Sequence, residues 1–265
     1  MTNWTEIDEI AKKWIREAGA RITQSMHESL TIETKSNPND LVTNIDKETE
    51  KFFIDRIQET FPGHRILGEE GQGDKIHSLE GVVWIIDPID GTMNFVHQQR
   101  NFAISIGIFE NGEGKIGLIY DVVHDELYHA FSGRGAYMNE TKLAPLKETV
   151  IEEAILAINA TWVTENRRID QSVLAPLVKR VRGTRSYGSA ALELANVAAG
   201  RIDAYITMRL APWDYAAGCV LLNEVGGTYT TIEGEPFTFL ENHSVLAGNP
   251  SIHKTIFEEY LHARK

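Results

Sequence analysis

Trp4, Ile7, Ala11, Trp14, Ala18 and Ile22 recur at spacings of three and four, the apolar stripe of an amphipathic helix packed on a core. A polar, proline-containing break at 35–40 follows, and 47–60 reads as a second helix stopped by Phe61-Pro62-Gly63, with Asp46 near its start. Residues 65–67 then read as a short strand running into Gly68-Glu69-Glu70-Gly71, and 82–86 as a buried strand running into Asp87-Pro88. Three consecutive strands are expected over 103–109, 115–123 and 126–131, separated by Asn111-Gly112 and a His124-Asp125 turn.

The second half alternates differently. Strand 155–159, helix 170–181, helix 189–199 ending at Gly200, strand 203–208 and helix 213–225 ending at Gly226-Gly227 make an αβα pattern. The stretch 141–149 is polar and aperiodic. It divides the chain into an N-terminal α+β lobe, 1–147, and a C-terminal αβα lobe, 148–265, expected to act as one rigid unit.

Composition narrows the function classes. Apolar residues at 42% and charged residues at 24% are those of an ordinary folded domain. No apolar run approaches the ~20 residues needed to cross a bilayer, and the N-terminus lacks a basic-then-apolar leader. The single Cys219 cannot form an internal disulfide, so a cytoplasmic protein without a membrane partner is expected. A formal charge of -12 argues against nucleic-acid binding, which draws on Lys and Arg contacts to phosphates. The same charge suits a phosphate ester only if carboxylates recruit divalent cations that reverse the local field.

The segment 87–95, Asp-Pro-Ile-Asp-Gly-Thr-Met-Asn-Phe, places two carboxylates three residues apart where an apolar strand gives out. Ligands of open α/β sheets gather beyond such strand ends. Asp-Pro-x-Asp-Gly also suits a plain surface turn, but an acid emerging from a fully apolar run is badly placed for solubility alone. Gly91 allows close backbone approach, and amides of Gly91 and Thr92 at a helix start could receive phosphate oxygens. Glu69 and Glu70, taken alone, read as a solvated loop, and Asp214 in Pro212-Trp213-Asp214 as a helix cap. Together these acids offer oxygen ligands with no accompanying Cys or His-x-x-x-His pair. Magnesium, with manganese as a substitute, is therefore expected over zinc, as two or three ions sharing Glu69, Asp87, Asp90 and Asp214. One ion would activate water and another would stabilise the leaving oxygen.

The residues now in view resemble the inositol monophosphatase family, the lithium-sensitive, magnesium-dependent phosphatases with the signature D-P-[IL]-D-G-T-x-N-[FY]. Residues 87–95 match it throughout, 213–218 (Trp-Asp-Tyr-Ala-Ala-Gly) with Gly226-Gly227 match a second signature, and Gly68-Glu69-Glu70 and 40–46 (Asp-Leu-Val-Thr-Asn-Ile-Asp) also fit. The resemblance implies a layered αβαβα sandwich of the α/β class, usually homodimeric, that hydrolyses inositol 1-phosphate. It implies that Glu69, Asp87 and the Ile89 carbonyl hold a first metal and Asp87, Asp90 and Asp214 a second. Thr92, hydrogen-bonded to Asp46, would position the attacking water with Glu69, assisted by Glu70. Gly91 and Thr92 amides would bind phosphate, and Asp90, Ser189, Ala190 and Asp214 the alcohol. Water would attack phosphorus directly, without a phosphoenzyme.

One departure concerns the substrate. Animal-type members carry a Glu seven residues before the last metal-binding Asp, and here that position is Thr207. Fructose 1,6-bisphosphate, the 2′-phosphate of NADP and 3′-phosphoadenosine 5′-phosphate are rival substrates, and Arg182, Arg185 and Arg209 could serve a larger anion. His97, just past the signature, reads as a wall rather than an acid. A haloacid-dehalogenase-like enzyme would need Asp-x-Asp, one residue shorter than Asp87 to Asp90. A metal-binding interaction protein that keeps the fold is the reading from another class.

Overall fold

The computed structural model describes residues 2–26, 31–34 and 41–262, so the break expected at 35–40, and Asp40 with it, lies outside the described residues. In chain order the elements are α1 (Trp4–Ser25), β1 (Ile32–Thr34), β2 (Leu41–Thr43), α2 (Asn44–Thr60), β3 (Arg65–Gly68), β4 (Val82–Asp90) and α3 (Thr92–Gln98). The meander follows as β5 (Ala103–Glu110), β6 (Glu113–Asp121), β7 (Glu126–Phe131), β8 (Gly135–Met138) and β9 (Thr141–Lys142). The remainder is β10 (Ile155–Ile158), α4 (Gln171–Arg180), β11 (Gly183–Arg185), α5 (Ala190–Ala198), β12 (Ala204–Leu210), α6 (Pro212–Glu224), β13 (Thr228–Thr230), β14 (His243–Gly248) and α7 (Pro250–Ile256). Among the described residues no helix is long and apolar enough to cross a membrane.

Strands β3 to β9 form a seven-stranded sheet in sequence order, parallel only between β3 and β4. A five-stranded sheet has the order β11-β10-β12-β14-β13. The stripe foreseen on α1 packs with Phe53 and Ile57 of α2 on one face of the larger sheet. Helices α5 and α6 fill the space between the two sheets, drawing β4 to β8 and β12 to β14 into one core. Helices α4 and α7 cover the outer face of the smaller sheet. The result is the αβαβα layering that the resemblance implies.

Because both faces of the larger sheet are covered, β4 is buried at every position and reads as an unbroken apolar run. Its pleat still alternates. Val82, Trp84 and Ile86 face α1 and α2, whereas Val83 and Ile85 face α5 and α6. Continuing that period points Asp87 toward α6 and would point Asp90 the opposite way. The pairing with β5 shifts register between Asp87 and Asp90, and Ile89 joins the α1–α2 side. This bulge, at a proline that has no ladder hydrogen to donate, puts both carboxylates on the same face.

Helix α6 lies tight against the meander. A Cβ built on Gly117 of β6 would stand 2.5 Å from the Ala217 carbonyl oxygen of α6. The short elements β1, β2, β8, β9, β11 and β13 carry too few residues to show a period, and neither they nor β14 and α7 were among the expected elements, whereas the helix start considered at Gly91 and Thr92 is where α3 begins.

Gly117→Ala should therefore force α6 off the sheet and cost about 1–3 kcal/mol. Denaturant unfolding measures this, and unchanged stability would mean that the middle layer has slack the close contact denies.

Candidate metal and phosphate site

Oxygen atoms of Asp87, Asp90 and Asp214 lie within 4.8 Å of one another. Each is held differently. Asp87 ends the regular part of β4, and its Oδ1 accepts the Ile89 N–H at 3.0 Å. Asp90 Oδ2 accepts the Ser189 hydroxyl at 2.5 Å and the Ala191 N–H at 2.7 Å, so it sits against the first turn of α5, with Ser189 as the N-cap. Asp214 lies in the first turn of α6, where its Oδ2 accepts the Ala211 N–H at 2.7 Å. The capping role that Asp214 suggests when read alone is thus real, and it leaves the other oxygen for the cluster.

Glu69, in the loop after β3, shares a hydrogen bond with Asp87, and its charge raises the proton affinity of Asp46, Asp87, Asp90 and Asp214. Burial is the larger cause at each of these groups. Asp87 and Asp214 are pushed well above the ordinary carboxylate value, and Asp90 to about 6. Hard, mutually repelling oxygens, buried at Asp87 and Asp90 and half-buried at Asp214, with no thiol or imidazole among them, fit magnesium.

Asp46 lies in the first turn of α2. Its Oδ2 accepts the Thr43 N–H and hydroxyl at 2.9 and 2.5 Å, and its Oδ1 lies 3.1 Å from Thr92 Oγ1. Thr92 Oγ1 is also 3.0 Å from the Ile89 carbonyl oxygen. Gly91 has φ of 95°, and a Cβ there would meet Asn101 and Ser189, so the turn into α3 takes only glycine comfortably. The first amides of α3 have no intrahelical acceptor.

Asp90, Ser189, Ala190 and Asp214 line a cavity of about 310 Å³ with Trp162, Glu193, Tyr205 and Thr207. The Trp162 indole N–H donates to Thr207 Oγ1 at 3.1 Å. His97 is exposed in the last turn of α3.

Sequence reasoning missed several supports. Asn94 ties the signature to the second half of the chain, donating to the Asn101 and Tyr187 carbonyls at 2.8 and 2.7 Å. Glu193 Oε1 accepts the Tyr187 N–H at 2.7 Å, Oε2 is buried without a hydrogen-bond partner among the described residues, and burial pushes the carboxyl up to about 7. A lone Glu amid the apolar residues of 190–198 was the available signal.

A profile of the inositol monophosphatase family matches residues 3–265. Mouse inositol monophosphatase 1 is 34% identical over 261 residues, 97% of this chain and 94% of that protein. The 2′AMP-bound structure of the staphylococcal enzyme SaIMPase-II is 46% identical, with a TM-score of 0.90, over 97% of this chain and 95% of its own. An IMPase/NADP phosphatase solved with Mg2+ and phosphate is 30% identical, with a TM-score of 0.91, over 99% of this chain and 97% of its own.

The raised carboxylates make stability depend on pH. Between the ordinary value of 3.8 and the folded values, the folded state binds more protons than the unfolded one, so metal-free stability falls as pH rises, for Asp90 from about 4 to about 6. Magnesium binds the ionised form and should raise the melting temperature more at pH 8 than at pH 5. Thermal melts with and without the ion decide this, and equal gains at both pH values would place the ion elsewhere.

Proposed function

The chain belongs to the inositol monophosphatase family across residues 3–265, a family of metal-dependent phosphoric monoester hydrolases, and on that premise we propose that it hydrolyses inositol 1-phosphate with magnesium. The observation that carries this reading is the convergence of Asp87, Asp90 and Asp214 beside Thr92 and the cavity. Glu69, Asp87, Asp90, Asp214 and the Ile89 carbonyl would hold the ions. When bound, magnesium lowers the pKa of water and stabilises charge on phosphate and leaving oxygens.

The chain's own groups do the rest. Asp46 takes the Thr92 proton in a hydrogen bond, which leaves the Thr92 lone pairs to accept from the attacking water and aim its own lone pair at phosphorus. Glu69, with Glu70 beside it, accepts the water's proton. Gly91 and Thr92 amides bind the phosphate oxygens. Asp90, Ser189, Ala190 and Asp214 meet the hydroxyls of the alcohol in the cavity. The attack is direct and in line, so no phosphoaspartate forms.

A second substrate has a specific basis. Thr207 replaces an acid that would bond a polyol, and its hydroxyl is engaged by Trp162. An indole in the wall gives a ribose or base a flat apolar surface. The relatives crystallised with 2′AMP and named for NADP phosphatase activity support a nucleotide 2′-phosphate as that substrate.

Phosphate release from inositol 1-phosphate, fructose 1,6-bisphosphate, NADP, 2′AMP and 3′-phosphoadenosine 5′-phosphate, with and without magnesium, tests both. Inositol 1-phosphate should lead and every release should need the ion. A lead by NADP or 2′AMP moves the substrate to the second reading, and no release from any ester overturns the function. Asp87→Asn should lower turnover at least roughly a hundredfold, since outer-shell changes alone cost 10–100-fold; near-normal turnover would remove Asp87 from the site. Lithium, which gives an inhibitory complex of a staphylococcal relative, should inhibit release.

A further inference from the structure

Glu50 sits one turn beyond Asp46 on α2 and is completely buried. Its neighbours at spacings of three, four and seven are Phe53, Ile54 and Ile57, all core residues. A carboxylate in an apolar stripe is costly unless its oxygens are taken. Both are. Oε1 accepts the Glu70 N–H at 2.8 Å and Oε2 accepts the Gln72 N–H at 3.0 Å. Those amides belong to the loop that carries Glu69 and Glu70.

The approach of loop and helix is built for this contact. A Cβ on Gly68, the last residue of β3, would stand 2.0 Å from Glu50 Oε1. The same loop is tied down beyond Glu70 by Gln72 Nε2, which donates to the Lys47 carbonyl of α2 at 2.9 Å, and by Asp74, whose Oδ2 accepts the Ile66 N–H at 2.9 Å. Successive turns of one helix thus carry two carboxylates with parallel tasks: Asp46 holds the Thr92 segment and Glu50 the Glu69 segment.

We propose that Glu50 is a positioning residue, a backbone clamp that sets where Glu69 meets Asp87 and so sets the affinity of the site for its divalent cation. The inference rests on the reading of Glu69 as a metal ligand. Charge-assisted bonds from backbone N–H groups to a buried carboxylate are short and stiff. An amide in its place keeps the shape but turns one acceptor into a donor that faces an N–H.

The test is Mn2+ binding to the metal-stripped full chain, followed by electron paramagnetic resonance, for wild type, Glu50→Gln and Glu69→Gln, with melting temperatures alongside. Glu50→Gln should bind Mn2+ roughly tenfold more weakly, within the range for residues that support ligands. It should also raise the magnesium needed for half-maximal phosphate release by a similar factor, while saturating magnesium restores most of the turnover. Glu50→Asp keeps the charge, shortens the reach and should shift affinity in the same direction, which covers the case in which the amide variant does not fold. Unchanged Mn2+ affinity in folded Glu50 variants, with Glu69→Gln still weakened, overturns the clamp and leaves the function intact. Unchanged affinity in Glu69→Gln overturns the ligand reading itself.

Discussion

Mutual repulsion among buried carboxylates is the constraint that the rest of the molecule serves. Two unit charges at the 4.8 Å limit of the Asp87, Asp90 and Asp214 cluster repel by roughly 3 kcal/mol at an effective dielectric of about 20. Burial and neighbouring acids raise the proton affinity of each member. Left to relax, such groups would turn to water. They do not because each is fixed from outside: Asp90 by the start of α5, Asp214 by the start of α6, Asp87 by the backbone of its own turn. Stored repulsion of this kind is what gives a divalent cation its place, since the ion replaces protons and reverses the field at once.

The scaffold around the cluster is correspondingly stiff. Helix α6 is buried on nearly all sides because both sheets need it, so Asp214 rides on an element held between them. Asp46 and Glu50 share α2, whose inner face is clamped by Phe53 and Ile57. The cavity that would meet the alcohol shares Asp90 and Asp214 with the cluster and takes the rest of its wall from other elements, among them Trp162 and β12. Wall chemistry at Trp162 and Thr207 can therefore change without moving the cluster.

Much of this was legible in the chain. Long elements with strong period declared themselves: α1, α2, β4 to β7, α5 and α6 lie where alternation and turn residues put them, within a few residues at the ends. The pair at Asp87 and Asp90 stood out because an acid after Val82 to Ile86 has no solvent to seek. Glu50 did not stand out, although it sits among Phe53, Ile54 and Ile57 at helical spacing, because its value lies in backbone amides twenty and twenty-two residues away. The orphan oxygen of Glu193 and the Trp162 bond to Thr207 likewise depend on elements brought together only by the fold. Periodicity reports which face a residue occupies, not what waits on the other side.

The bulge in β4 gives the signature an arithmetic of its own. In a regular pleat two carboxylates face the same way at a separation of two residues, and Asp-x-Asp is the natural pair. Here Pro88 and Ile89 occupy a register shift that absorbs one residue, so Asp-x-x-Asp achieves the same facing. The count between the acids is thus a property of the backbone path rather than of the chemistry: losing the register shift while keeping both intervening residues would turn Asp90 into the α1–α2 core. Two phosphatase motifs that differ by one letter can therefore present equivalent pairs of oxygens, and they are better compared by the face they share than by the letters they contain.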